Sequence, residues 1–226
     1  MKVIAFSLWG EDTRYTLGAI QNASLAKLVY PDWICRFYVG KSTPEHIVDL
    51  LFEFDNVEII PMKEEGDWTG MFWRFEAASD PDIDVLIVRD CDSRLWFREK
   101  AAVDAWLASD KGFHIMRDNH QHTTAILGGM WGVKKGVLSD IQVLIRHYTK
   151  GDFWQVDQKF LKDIIYPRIK DDAMVHDPFF EKVPFPKTRL SERDENHFVG
   201  QAYAGCGKIL DQQEYFQDFI RREISV

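Results

Sequence analysis

One stretch constrains the fold more than any other: an apolar run that ends abruptly in charge. Residues 83 to 88 are mostly apolar and β-branched, and Arg89, Asp90, Asp92 and Arg94 follow directly. Such a run is too short for a typical helix, so it predicts a strand buried on both faces. In open α/β sheets, ligands bind beyond the carboxyl ends of the strands. Two carboxylates at that end can bind one hard cation through oxygen, and the cation can hold a diphosphate.

A second aspartate pair, Asp82 and Asp84, lies at the opposite end of the same run. Aspartate pairs at this spacing carry little weight alone, because the chain has 36 acidic residues. Position separates the two pairs. Asp82 and Asp84 come before the strand, beside the loop-like Pro81, whereas Asp90 and Asp92 follow it. The sequence therefore favours Asp90 and Asp92 as a metal or phosphate site.

The N-terminal part alternates apolar runs with amphipathic segments. Thr43, Pro44 and Glu45 supply the capping hydroxyl, the proline and the acid of a helix start. The predicted elements are a strand from Lys2 to Trp9, a helix from Thr13 to Tyr30, a strand from Trp33 to Val39, a helix from Thr43 to Phe54 and a strand from Val57 to Ile60. This βαβ order predicts an α/β fold with a mixed, mainly parallel sheet and helices on both faces.

The rest of the chain continues the alternation. The predicted elements are a short helix at Thr69–Ala78, helices at Leu95–Ser109, Val137–Tyr148 and Phe153–Ile165 (ending before Pro167), strands at Gly112–Met116 and Ala173–Val175, and a C-terminal helix at about 211–224. Between them, Gly128, Gly129 and Gly132 allow the backbone to approach a ligand closely. We expect one domain over residues 1–226, with its core at about 2–200.

Asp157 is unusual for its place in the helical pattern. It shares one face with Phe160, Leu161 and Ile164, at the spacing of an apolar stripe. A carboxylate on such a face requires a partner or a chemical task. Its position near the start of the helix offers a simpler interpretation, a negative charge favoured by the helix dipole.

Composition narrows the function classes. The formal net charge of -8 argues against a general nucleic-acid binder. The three cysteines lie far apart without metal-ligand spacing, which favours a reducing compartment, and we expect a cytoplasmic protein. No apolar stretch is long enough to predict a transmembrane helix.

Several familiar sites are missing from the sequence. The first turn, Trp9-Gly10-Glu11-Asp12, lacks the glycine pattern of a dinucleotide site, and the stretch Gly205–Lys208 lacks the spacing of a phosphate-binding P-loop. What remains is the acid pair, Asp157, and His176-Asp177 at a later strand end. A divalent ion held by Asp90 and Asp92, with His176 as a third ligand, could act as a Lewis acid on a diphosphate leaving group.

These blocks resemble the nucleotide-sugar-dependent glycosyltransferases of the GT-A fold. The resemblance covers residues 2 to 200. It is carried by Val85–Asp92, Gly128–Gly132, Trp154–Gln158 and His176, and the N-terminal block Ile4–Gly10 is also similar to a small viral member of the family. The resemblance implies transfer of a hexose from a nucleotide-diphosphate sugar, with UDP-glucose as the expected donor, to a hydroxyl acceptor on a glycan, a protein or a lipid.

The resemblance also implies roles for individual residues. Asp90 and Asp92 would hold Mn²⁺ or Mg²⁺, and His176 would complete the metal shell, with His197 as a rival. Asp157 and Gln158 would act at the anomeric carbon, as a general base in an inverting enzyme or as transition-state support in a retaining one. The implied contacts to the nucleotide sugar come from Ser7, Leu8, Trp9, Arg74, Arg89, Gly128 and Gly129.

Three other functions fit part of the pattern. A sugar-1-phosphate nucleotidyltransferase uses an acidic metal site, but the glycine-rich, arginine-bearing first turn of that family is missing here. A metal-dependent phosphohydrolase usually places its aspartate nucleophile after the first strand, whereas Asp90 follows the fourth. A non-catalytic sugar-binding module would need neither a metal nor Asp157. The polar segment at residues 61–69 is a candidate lid over the donor.

Overall fold

The computed structural model describes residues 1–149, 151–188, 190–191 and 197–209. The C-terminal helix predicted at about 211–224 lies outside the described residues. Within the described part of the chain, no helix is both long and apolar enough to cross a bilayer.

Seven strands form one mixed sheet. In chain order they are Lys2–Leu8 (β1), Ile34–Val39 (β2), Val57–Pro61 (β3), Val85–Val88 (β4), Phe113–Met116 (β5), Trp131–Lys134 (β6) and Ala173–His176 (β7). Their order across the sheet is β3-β2-β1-β4-β6-β5-β7. The first four strands are parallel to one another, β6 is antiparallel to both its neighbours, and β7 is parallel to β5. The predicted α/β fold is confirmed.

The helical segments cover both faces of this sheet. They are Thr13–Val29 (α1), Glu45–Phe52 (α2), a 3-10 helix at Trp68–Ser79, Phe97–Leu107 (α3), Ile141–His147 (α4), Val156–Phe160 (α5), a π-helical turn at Leu161–Ile165, Tyr166–Ile169 (α6) and a short 3-10 turn at Lys170–Asp172. Most of them match the predicted helices to within a few residues.

Alternation along the strands creates two separate cores. In β1, Ile4 and Phe6 pack with residues of α1, α2 and α3, among them Ala19, Leu51 and Trp106. Val3 and Ala5 point to the other face, where they pack with the 3-10 helix, α4 and α5 through Phe72, Phe75, Ile141 and Phe160. Because successive side chains of a strand point to opposite faces, one apolar run supplies both cores. The carboxyl ends of the parallel strands are thereby fixed at one edge.

Two local predictions were wrong. Pro44 occupies the N-cap position of α2 without a side-chain capping bond, and the Thr43 hydroxyl instead donates to the Leu8 carbonyl at 3.3 Å. Pro167 does not follow the end of the helix begun at Val156, because helical backbone continues through the π turn and α6 to Ile169. Pro167 is the second residue of α6, and its missing N–H costs little there because the π turn directly before it already interrupts the regular α-helical hydrogen bonds.

Candidate active site

The acid pair lies where β4 ends. The carbonyl of Asp90 accepts bonds from the backbone N–H and the hydroxyl of Ser93, which closes a turn directly after the strand. Cys91, between the two acids, is buried in the core under α1, with its thiol 3.4 Å from the Ser7 carbonyl. The carboxylates on either side of it reach the open end of the sheet. The side chain of Asp90 is 39% exposed, whereas Asp92 is buried.

Arg74 connects the acid pair to Asp157. The 3-10 helix holds it in place, with the Arg74 backbone N–H donating to the Ser7 hydroxyl at 3.2 Å. Its Nη1 pairs with Asp90 Oδ1 and donates to the Arg89 carbonyl at 2.9 Å, while Nη2 lies 3.4 Å from Asp157 Oδ2. Burial opposes its positive charge, but the attraction of Asp90 and Asp157 outweighs burial and raises the pKa of Arg74.

Asp157 is fully buried at the start of α5. One of its oxygens faces Arg74, and the other, Oδ1, has no hydrogen-bond partner. Burial is the main reason that the pKa of Asp157 is raised above its usual value, and the attraction of Arg74 opposes this shift only in part. Gln155, two residues before Asp157, adopts a left-handed backbone conformation at φ 65°, which is uncommon for a residue other than glycine. A strained backbone and an unsatisfied buried oxygen next to each other are typical of functional sites.

Two glycines make room for these carboxylates. A Cβ added at Gly128 would overlap Asp157 Oδ2, and a Cβ added at Gly129 would overlap Asp90 Oδ2. The sequence predicted that the backbone at these positions would approach a ligand. The structure shows that Gly128 and Gly129 approach the acids themselves, so any larger residue would displace the charged groups.

Two cavities meet at this cluster. The larger one, about 660 Å³, is lined by the loop at residues 121–124, the start of α5 and residues 198–202. The smaller one, about 300 Å³, is lined by the carboxyl end of β1, the start of α1 and Trp68. The residues that line both cavities are Tyr15, Met71, Arg74, Asp90 and Trp154. A ligand with its centre at Asp90 could therefore reach into both.

The acid pair has the chemistry of a hard-cation site. Among residues 1–149, 151–188, 190–191 and 197–209, no group of three or more His, Cys, Asp or Glu side chains is arranged to hold a metal ion. Mg²⁺, however, commonly binds only one or two carboxylates, with substrate phosphates as further ligands. Burial, together with the like charge of Asp90, raises the pKa of Asp92 to about 7, and a bound cation would stabilise its ionised form. The two aspartates fit a divalent cation that also contacts a diphosphate.

Besides Arg74, Gly128 and the aspartates, the structure places three further predicted site residues at the cavities. Ser7 and Trp9 line the smaller cavity, and Gln158 lines the larger one beside Asp157. The ring of Trp9 is fixed by the Trp73 ring at a centroid distance of 5.7 Å and by the backbone of Gly66, where a Cβ would overlap the indole. The polar loop around residue 66 therefore packs directly on the wall of the smaller cavity.

Two other predicted contacts point away from the cavities. Leu8 is 1% exposed and belongs to the core under α1. Arg89 is also 1% exposed, and its Nε donates to Glu99 Oε1 at 3.1 Å. Leu8 and Arg89 flank site residues in sequence, but strand alternation turns their side chains inward.

His176 is not brought to the acid pair. It ends β7, which β6 and β5 separate from β4, so three strand spacings of about 4.8 Å place it roughly 14 Å away. Its Nδ1 lies 2.8 Å from Nε2 of His114. The rival, His197, is linked to the acid pair through Tyr203: its Nε2 is 2.6 Å from the Tyr203 hydroxyl, and the Tyr203 backbone N–H donates to the Asp92 carbonyl at 2.9 Å.

Some lining residues were not identified from the sequence. Tyr15 and Met71 lie between the two cavities, and Gln201 closes the larger one. Tyr15 was detectable in principle, because it follows β1 closely and ligands bind at the carboxyl ends of strands. Nothing in the local pattern around Gln201 indicates that it folds back over the end of β4.

Comparison with protein-family models and with curated proteins found no match. Comparison with solved structures found similar folds. A glycosyltransferase involved in the glycosylation of the major capsid of PBCV-1 is similar at a TM-score of 0.53 and 16% identity, over 78% of this chain and 81% of its own. The mannosyltransferase PcManGT from Pyrobaculum calidifontis, in complex with GDP-Man and Mn²⁺, gives 0.52 at 11% identity, over 79% of this chain and 55% of its own.

A third similar structure has a different activity in its name. It is the 4-diphosphocytidyl-2C-methyl-D-erythritol synthase from Anaerococcus prevotii, with a TM-score of 0.51 at 12% identity over 84% of this chain and 91% of its own. At such identities the likeness concerns the fold. The expected resemblance to GT-A glycosyltransferases is confirmed at that level, and the site must be argued from its own residues.

Proposed function

We propose that the protein is a metal-dependent glycosyltransferase that moves a hexose from a nucleotide-diphosphate sugar to a hydroxyl acceptor. One observation supports this most: a smaller and a larger cavity share Asp90 and Arg74 as a common wall. A transferase needs two substrates that meet at one reacting carbon. A hydrolase or a simple sugar-binding module needs only one ligand cavity.

The smaller cavity suits the nucleotide. Its walls include Trp9, Trp68 and Tyr15, whose aromatic rings offer stacking surfaces to a base. Asp90 lines this cavity and Asp92 lines the adjoining larger one, and the two carboxylates would hold Mn²⁺ or Mg²⁺ against the diphosphate. When bound, the cation supplies positive charge that offsets the charge of the leaving group. UDP-glucose remains the proposed donor.

The larger cavity suits the acceptor. Aromatic rings of Phe153, Trp154 and Phe198 lie in it together with amide side chains, including Gln155 and Gln158. Apolar ring faces next to amides that both donate and accept hydrogen bonds match the alternating surfaces of a sugar. A glycan hydroxyl is therefore the proposed acceptor.

Asp157 is the proposed base. In the reaction, the bond between the anomeric carbon and the diphosphate oxygen breaks, and a bond to the acceptor oxygen forms. The acceptor hydroxyl loses a proton, and Asp157, which lines the larger cavity and has a buried oxygen without a hydrogen-bond partner, would take it. Its raised pKa improves it as a proton acceptor. Gln158, at the same cavity wall, would orient the acceptor, or support the transition state if the anomeric configuration is retained.

A cytoplasmic location is part of the proposal, because all three cysteines are free thiols and Cys206 is exposed.

Nucleotidyl transfer is the second candidate, favoured by the fold shared with the Anaerococcus prevotii synthase. The two reactions cleave different bonds. A glycosyltransferase releases a nucleoside diphosphate. A nucleotidyltransferase joins a nucleoside triphosphate to a sugar phosphate and releases pyrophosphate.

The test is donor hydrolysis without an acceptor. UDP-, GDP- and dTDP-hexoses are incubated with Mn²⁺ or with EDTA, and nucleoside diphosphate release is measured. We expect slow, Mn²⁺-dependent release that Asp92→Asn abolishes, and that the matched change Asp84→Asn at the opposite end of β4 leaves intact. Pyrophosphate release from nucleoside triphosphates, with no turnover of any nucleotide sugar, would replace this proposal by the second candidate.

A further inference from the structure

Arg74 is buried, yet it lines both cavities. Its Nη1 contacts Asp90 Oδ1, and its Nη2 lies near Asp157 Oδ2. The guanidinium thus binds a carboxylate oxygen that the proposed cation would also need as a ligand. Direct contact with the donor sugar, the role implied by the sequence resemblance, does not explain why this arginine is committed to two carboxylates.

A second observation shows that Arg74 has spare bonding capacity. Its Nε is buried and has no hydrogen-bond partner. A buried donor without an acceptor is unfavourable, and phosphate oxygens are among the acceptors that a guanidinium binds best. Since Arg74 lines the cavity proposed for the nucleotide, a diphosphate bound there would lie next to a guanidinium whose bonding capacity is not filled.

We infer that Arg74 is an internal counter-ion that competes with the divalent cation for Asp90. In the free protein the single positive charge of the guanidinium is shared between Asp90 and Asp157. With a cation and a nucleoside diphosphate bound together, Asp90 would serve as a ligand of the cation and Arg74 would turn to a phosphate oxygen. The inference rests on the proposed function and adds an order of binding: weak binding of the cation alone, and tight binding with the diphosphate. Arg74 is thus a positioning residue that acts through Asp90.

The test is Mn²⁺ binding to the full-length protein without any nucleotide, followed by the electron paramagnetic resonance signal of free Mn²⁺. We expect Arg74→Met to bind Mn²⁺ at least about tenfold more tightly than the wild type, because a positive charge in contact with a ligand oxygen is removed. A merely structural role predicts the opposite, since loss of a supporting side chain would weaken the site.

A matched control separates competition from simple loss of charge. Arg14 is another buried cation, and its attraction offsets part of the rise that burial and Asp90 cause in the pKa of Asp92. Arg14→Met removes the same charge without removing the Arg74–Asp90 pair. We expect it to raise Mn²⁺ affinity much less than Arg74→Met. Equal gains in the two variants would overturn competition for Asp90.

A second variant guards against misfolding. Arg74→Met leaves Asp157 buried without its cation, so the double variant Arg74→Met, Asp157→Asn removes that charge as well. It should keep the gain in Mn²⁺ affinity. Unchanged or weaker Mn²⁺ binding in both folded variants would overturn the inference, as would a lack of Mn²⁺ binding in every protein. These outcomes are independent of donor hydrolysis, so failure of the proposed function is recognised separately, by the nucleotide-sugar assay.

Discussion

Two arginine–aspartate clusters at the same edge of the sheet differ in how completely they are satisfied. In the β4 cluster (Arg74, Asp90 and Asp157), fully buried Asp157 has one 3.4 Å contact to Arg74 and one oxygen without a partner. In the β5 cluster (Arg98 and Asp118), fully buried Asp118 accepts two bonds from Arg98 at 2.7 and 2.9 Å. A third bond comes from the Val199 N–H at 3.0 Å.

The difference teaches where to look for function. Asp118 and Asp157 are equally buried, but they differ in their capacity to bind a ligand. The hydrogen bonds of Asp118 are filled by the protein itself, whereas Asp157 has an oxygen left over. An unsatisfied carboxylate costs stability, and a protein that keeps one at a cavity wall is expected to use it. The β5 cluster accordingly joins elements of the fold, whereas the β4 cluster lies open to both cavities.

The largest expected effect is on activity. Asp157→Asn should lower donor turnover on the order of a hundredfold or more, because it removes the proposed base. Asp118→Asn, assayed at a temperature at which it stays folded, should retain activity within several-fold. Nucleoside diphosphate release from the donor measures both. Comparable activity losses in the two variants would erase the functional distinction between the clusters.

The same two variants should reverse their order in stability. Asp118→Asn leaves Arg98 buried without its charge partner and should cost about 3 kcal/mol of unfolding free energy. Asp157→Asn removes a poorly compensated charge, so we expect a change within about 1 kcal/mol. Urea unfolding of both proteins, without metal, gives the two values. A larger loss for Asp157→Asn would mean that Asp157 is structural.

A smaller effect is expected at Gly128, where an added Cβ would overlap Asp157 Oδ2. Gly128→Ala should displace that carboxylate and lower turnover about tenfold, since small misplacements of a reacting group are costly. The variant combined with Asp157→Asn should be no less active than Asp157→Asn alone, because both changes act through one group. Additive losses in the double variant would place the effect of Gly128 elsewhere.

The smallest expected effect is on the pH dependence of stability, through His176 at the end of β7. Burial, and then the positive charge of Arg98, lowers the pKa of His176 to about 4. The folded protein therefore binds fewer protons than the unfolded chain, and stability falls as the pH drops below about 6.5 towards 4. His176→Gln should flatten this slope by at most about 1.4 kcal/mol per pH unit. Urea unfolding between pH 7 and pH 5 measures the slope, and an unchanged slope in the variant would show that His176 does not titrate there.

The sequence was sufficient for much of the fold and for the acids of the site. The apolar run before Arg89 predicted β4, and the structure places Asp90 and Asp92 beyond the carboxyl end of that strand, at the wall of the larger cavity. Asp157 was identified because a carboxylate interrupts an apolar face, and it is indeed fully buried at a cavity. Local patterns succeed when burial and sequence position determine the outcome together.

Long-range pairing was beyond such patterns. His176 ends a strand, as expected, but the insertion of β6 and β5 between β4 and β7 carries it away from the acid pair. The partnership of Arg74 with two carboxylates likewise depends on residues that are distant in sequence. Leu8 and Arg89 show that neighbours in sequence of a site residue can point into the core.

The central claim is that the β4 acids form a metal-dependent nucleotide site. Calorimetric titration of UDP and GDP into the wild type and Asp92→Asn, with Mn²⁺ and with EDTA, tests it most directly. We predict that at least one nucleotide binds the wild type only with Mn²⁺, and that Asp92→Asn removes this binding while its thermal unfolding stays cooperative. Nucleotide binding that is unaffected by EDTA and by Asp92→Asn, or no binding of either nucleotide under any condition, would contradict the claim.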